Sequence, residues 1–149
     1  MADVLVVDDD ENQAHSLALG LRLEGIDASA AVGAEAALAL LRVEPARVVV
    51  CDLRMRGKNG LELARELEAI YPGTRVLLTS GFPMSDAQVK RCGCHAIVGF
   101  VPKPCDLIAL AGLIRRIDTT PAGPIAEAAT LLAAAGDLES ATTKAGRAH

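Results

Sequence analysis

Tryptophan is absent from this chain, and its 149 residues hold only one tyrosine and two phenylalanines. Modules that bind single-stranded nucleic acid by stacking need aromatic platforms, so that class is disfavoured at the outset. A basic excess is missing too. The formal net charge is −4 and the pI is near 5.3, the wrong sign for a surface that tracks phosphates. No nucleic-acid partner is expected. No apolar run approaches the ~18 residues of a membrane span, so no membrane partner is expected either. The N-terminus passes straight into Val4-Leu5-Val6-Val7 and three acids, unlike a signal peptide, and a cytoplasmic location is expected.

Cysteine is sparse: Cys51, Cys92, Cys94 and Cys105. In a cytosolic chain of this size they read as reduced thiols, not as a disulfide framework. Cys92-Gly93-Cys94-His95 has C-x-C rather than C-x2-C spacing, and no second ligand pair follows. That argues against structural zinc. A lysine-bearing glycine loop of the P-loop type is lacking, as is a G-x-G-x-x-G after the first apolar run, so nucleotide cradling is not the reading.

What the chain does have is a hydrophobic content of 51%, enough for the core of one ordinary domain. Val48-Val49-Val50-Cys51 runs into a lone carboxylate, Asp52, and the chain then turns polar. A short apolar run bounded by a turn reads as a strand buried on both faces. Four further strands are expected at 3–7, 26–32, 75–78 and 95–101. Between and after them lie five helical stretches. The first carries Ala14, Leu17, Ala18 and Leu21 inward and stops at Gly25. The second carries Ala37, Leu38 and Leu41. The third opens at Gly60 and carries Leu63, Ala64, Leu67 and Ile70. A short fourth helix spans about 85–91 with Ser85 as N-cap. The last carries Leu107, Leu110, Ala111 and Ile114. Alternating strands and helices with short connections imply right-handed βαβ units and a doubly wound parallel α/β sheet with helices on both faces.

Ligands of such sheets gather at the C-terminal ends of the strands. That edge receives Asp8 and Asp9 from strand one, Asp52 from strand three, Thr79 from strand four and Lys103 after strand five. Asp10 is better used as the cap of the first helix. Three carboxylates within ~4–6 Å repel by several kcal/mol at an effective dielectric of about 20. They need a cation, a proton, or both, and magnesium is the natural choice because it takes hard oxygen ligands while keeping water positions open for a phosphate. Lys103 can hold a phosphoryl oxygen or the carboxylate, and Thr79 can donate to a phosphoryl oxygen. An aspartate so equipped can attack phosphorus and form an acyl phosphate.

On these residues, over positions 3 to about 117, the sequence resembles the receiver domain of two-component response regulators. The resemblance implies a five-stranded sheet in the flavodoxin-like order 2-1-3-4-5. It implies Asp52 as phosphoacceptor and Asp8, Asp9, Asp52 and the backbone carbonyl of Arg54 as ligands of Mg2+ or Mn2+. It also implies Thr79 and Lys103 in the phosphoryl chemistry, Thr79 and Phe100 as a switch pair, and a cis-proline at Pro104. The implied partners are a histidine kinase or histidine phosphotransfer protein and a downstream protein target. The chain would act as a monomer or a phosphorylation-dependent dimer. Arg56 departs from the family by standing where proline is common, which is expected to loosen the loop beside the acceptor. The segment from Thr79 to Lys103 is about two residues longer than usual, which puts the fourth helix in an altered setting.

The expected organisation is a receiver domain over 1–118 and a linker with an Ala-rich extension over 119–149, helical or partly disordered. Two other readings compete with a stand-alone phosphoacceptor switch. One is a receiver segment of a hybrid histidine kinase. The other is an aspartyl-phosphate phosphohydrolase, but Asp52-Leu53-Arg54 lacks the second, general-acid carboxylate of Asp-x-Asp phosphatases. The chain is therefore expected not to be an enzyme, with at most slow autodephosphorylation.

Overall fold

Short apolar runs rich in valine, leucine, isoleucine and alanine form the strands β1 (Ala2–Asp8), β2 (Ala28–Val32), β3 (Ala46–Asp52), β4 (Arg75–Ser80) and β5 (Ile97–Pro102). They alternate with α1 (Glu11–Leu23), α2 (Ala34–Val43), α3 (Gly60–Ile70), α4 (Asp86–Arg91) and α5 (Leu107–Thr119). These come from a computed structural model, which describes residues 2–82, 86–91 and 93–119. Ser85, Cys92 and residues 120–149 lie outside the described residues, and with them the proposed cap of the fourth helix and the Ala-rich extension. The strands pair in parallel in the order β2-β1-β3-β4-β5, as the doubly wound reading requires.

Side chains of a strand alternate between the two faces of its sheet. Val4, Val6, Val48, Val50 and Leu77 pack with Leu21, Leu110 and Ile114 of α1 and α5. Leu5, Val7, Val49, Cys51 and Leu78 pack with Leu41, Leu63 and Leu67 of α2 and α3. Leu21, Leu63, Leu67, Leu77, Leu78 and Leu110 are wholly buried, each worth roughly 1.5–3 kcal/mol relative to exposure. Both faces of the central strand are thus covered, which is why its sequence is continuously apolar instead of alternating.

Helix ends follow local chemistry. Asp10 caps α1, its carboxylate accepting from the N–H groups of Asn12 and Gln13. Asn59 and Glu62 form a reciprocal capping box at the start of α3. One inward assignment on α3 does not hold: Ile70 is 52% exposed. The helix ends at that residue, and Tyr71 turns off and packs partly buried against the α2/α3 layer in its place. Strand five begins two residues later than expected, because His95 and Ala96 form a turn.

The β4–β5 ladder is irregular near its start. Val76 pairs with Ile97 but Leu77 pairs with Gly99, leaving Val98 extra in the ladder. Beyond the bulge the strands are again in step. The Lys103 N–H donates to the Ser80 carbonyl at 2.9 Å. Helix α4 has six residues, the short helix expected there.

Candidate phosphoacceptor and metal site

Register fixes the site before any side chain is considered. Asp52 is the cross-strand neighbour of Thr79, and Asp8 ends the strand beside β3. All three residues are buried, Asp8 at 6%, Asp52 at 9% and Thr79 at 3% exposure. Asp9 follows in the turn before α1. A cis bond precedes Pro104, and Lys103 bends back over the edge.

The Lys103 ammonium spans two of the acids, lying 3.1 Å from Asp8 Oδ2 and 3.3 Å from Asp52 Oδ2. It also donates to the Gln13 amide oxygen at 2.9 Å. The remaining oxygens of the two acids accept from backbone. Asp8 Oδ1 accepts from Asp10 N–H at 2.9 Å, and Asp52 Oδ1 from Arg54 N–H at 3.3 Å. Burial pushes the Asp52 carboxyl above its ordinary value of 3.8. The Lys103 charge opposes that rise and Asp8 adds to it. Burial would lower the Lys103 pKa, but its hydrogen bond to Asp8 and the Asp52 and Asp8 charges outweigh burial and hold it above 10.5.

Oxygens of Asp8, Asp9 and Asp52 all lie within 4.8 Å of one another. Three hard anionic oxygens at that spacing fit a magnesium-sized cation with room for other ligands. Among the described residues this is the one such grouping of His, Cys, Asp and Glu. The thiols form no second. Cys94 lies in the α2/α3 layer and Cys105 packs against the α1/α5 layer, so the sheet separates them. Cys51 adjoins Asp52 in sequence but is fully buried in the α2/α3 layer. Burial, then the charges of Asp52 and Asp8, pushes its pKa far up, so it is an inert packing residue.

Asp8, Thr79 and Lys103 stand at one end of a cleft of about 540 Å³ that continues between α1 and α5 over Leu17, Val50 and Leu107. Among the described residues the Thr79 side chain has no hydrogen-bond partner, while its carbonyl accepts from Leu53 N–H at 2.8 Å. Phe100 is half-buried against the opposite layer, and its cross-strand neighbour is Leu78 instead of Thr79.

Three residues at the site were not singled out for their roles by the sequence. Gln13 reads as the last residue of a D-x-x-Q cap signature, which conceals its contact with Lys103. Arg56 links the loop after β3 to the turn after β1: its N–H and its Nε donate to Asp9 Oδ2 at 3.0 and 3.4 Å. Phe82 receives the Arg54 guanidinium over its ring at 4.4 Å, tying the loop after β3 to the loop after β4. Such a contact has no signature in sequence, because its partners are 28 positions apart.

Known proteins align with this geometry. The sequence pattern described as the response regulator receiver domain matches residues 4–115. The heme response regulator HssR of Staphylococcus aureus is 32% identical over 117 residues, covering 78% of this chain and 51% of that protein. The chain spans about half the length of such curated relatives. Among solved structures, a response regulator receiver protein from Pseudomonas putida is 34% identical, with a TM-score of 0.67 over 77% of this chain and 96% of that one. The receiver domain of NtrX from Brucella abortus is 29% identical, with a TM-score of 0.68 over 79% of this chain and 100% of that one.

Proposed function

Because this chain belongs to the response regulator receiver domain family, we propose that it works as a magnesium-dependent phosphoacceptor switch with Asp52 as the acceptor. The observation that carries the reading is the placement of Asp52. It is a buried carboxylate at the end of the central strand, touching Lys103 and within ligand distance of Asp8 and Asp9.

In the proposed reaction an Asp52 carboxylate oxygen attacks the phosphorus of a phosphohistidine on a kinase or phosphotransfer protein. The P–N bond breaks, the imidazole leaves with its electron pair, and Asp52 becomes an acyl phosphate. Asp8, Asp9, Asp52 and the Arg54 carbonyl would hold Mg2+ or Mn2+, which supplies positive charge to the phosphoryl oxygens. Lys103 releases Asp52 as the latter bonds to phosphorus and offers its ammonium to a phosphoryl oxygen. Thr79, its hydroxyl without a protein partner among the described residues, can donate to another.

The chain is a switch rather than a turnover enzyme. Position 54 is arginine, so no carboxylate stands two residues after the acceptor to activate water. The output is a protein–protein contact whose affinity differs between the two phosphorylation states, with Thr79 and Phe100 as the candidate movers.

Incubation with magnesium and a small acyl-phosphate donor tests the proposal by intact-protein mass spectrometry. The wild type should gain one phosphoryl mass, and Asp52→Asn should gain none. Equal labelling of the two would refute it.

A further inference from the structure

Each acid of the site has a positive partner from the chain itself, but the partners differ in kind. Asp8 and Asp52 share Lys103, which belongs to the phosphoryl chemistry. Among the described residues Asp9 is served by Arg56 alone. Backbone N–H and guanidinium Nε converge on one carboxylate oxygen, Oδ2, at 3.0 and 3.4 Å. The two residues are 47 positions apart and on different loops. A proline at 56 could make neither contact, since it has no N–H and no cationic side chain.

We propose that Arg56 is a built-in counter-ion of Asp9 that competes with the metal, and so sets the cation affinity of the site below what its three carboxylates would give. The inference rests on the metal-binding role of Asp9 proposed above. A divalent cation taking Asp9 must share that carboxylate with the Arg56 guanidinium or replace it. The Arg56 side chain is 89% exposed, so releasing it to water costs little and the competition is modest. It is also screened by salt. Arg56 is a tuning residue: it contacts a ligand of the metal and none of the reacting atoms.

The test is a magnesium titration by isothermal calorimetry on the full chain, at low and high ionic strength. Arg56→Ala keeps the N–H and removes the guanidinium. It should tighten magnesium binding about two- to fivefold at low salt, the range of an exposed ion pair, and less at high salt. Arg56→Lys should stay near wild type, and Arg56→Glu should bind more tightly than Arg56→Ala. Lys58→Ala is the control for net charge, because Lys58 pairs with Glu66 and Glu35 instead, and it should not change the affinity.

Unchanged or weaker binding in Arg56→Ala, or equal tightening in Lys58→Ala, would overturn the inference. Asp9→Asn separates this failure from that of the underlying reading. If it binds magnesium as the wild type does, or the wild type binds none, the metal site itself is wrong and the inference falls with it. If Asp9→Asn loses affinity while the Arg56 series is flat, the metal site stands and only the counter-ion role is lost.

Discussion

Gly60 lies against the backbone of Asp52. A Cβ at position 60 would stand 2.5 Å from the Asp52 carbonyl oxygen and 3.0 Å from Leu53 Cα. The Gly60 N–H donates to the Leu53 carbonyl at 2.9 Å, so the first turn of α3 is seated directly on the acceptor segment.

Gly60→Ala should therefore destabilise the fold by about 1–3 kcal/mol through overpacking against main chain that cannot rotate away. It should also slow Asp52 phosphorylation, since any relief moves Asp52 or Leu53. Denaturant melts and the rate of mass gain from an acyl-phosphate donor check both. A melt identical to wild type would contradict the contact.

Asp52→Asn should raise the stability of the metal-free protein. With its pKa raised in the fold, ionised Asp52 is less favourable in the fold than in the unfolded chain. Its ionisation therefore removes stability as pH climbs from 3.8 through the folded value. The variant should melt higher than wild type near neutral pH, and the gap should close below pH 3.8, where both side chains are neutral. Thermal melts from pH 3 to pH 8 in a chelator measure this. A gap that widens toward acid would reverse the sign and refute it.

Lys103→Ala should have the opposite effect, removing the ammonium between Asp8 and Asp52 at a cost of about 1.5–3 kcal/mol, the scale of hydrogen bonds to charged groups. Because the folded lysine pKa is raised, the contribution is fully present below 10.5 and is lost as pH rises through the folded value. Wild type and variant should thus converge in strong alkali. Magnesium should rescue part of the deficit at neutral pH.

Thr74→Val separates fold from chemistry. The Thr74 hydroxyl donates to the Ala46 carbonyl at 2.9 Å in a buried setting, joining the first residue of β3 to the turn before β4. Its loss should cost about 1–3 kcal/mol, because the carbonyl is left without that donor. The extent of Asp52 phosphorylation at saturating donor should not change, since the bond is at the far end of the strand from the acceptor.

Much of this arrangement was legible in the sequence because it depends on period and position. A strand buried on both faces announces itself as Val48-Val49-Val50-Cys51, and parallel topology then brings Asp8, Asp52, Thr79 and Lys103 to one edge. Asp10 as a cap was readable from its place before α1. Contacts set by loop geometry were not readable. Arg56 shows in the sequence only as a missing proline, because its partner Asp9 is 47 positions away. Ile70 fitted the helical period, but the period does not tell where a helix ends. The register shift at Val98 likewise has no signature in the sequence.

The alternation along β3 bears on how this chain can change over evolutionary time. Val48 and Val50 belong to one layer, Val49 and Cys51 to the other, and Asp52 follows in step. One residue inserted upstream within the strand would put the Cys51 thiol where the Asp52 carboxylate now stands, and one residue removed would put Leu53 there. Either event would also exchange the side chains offered to the two helical layers. Volume-conserving apolar changes along Val48–Val50 can be absorbed one at a time. Changes of length cannot, so drift in this lineage should accumulate as insertions and deletions in the connecting loops while the strand keeps its count.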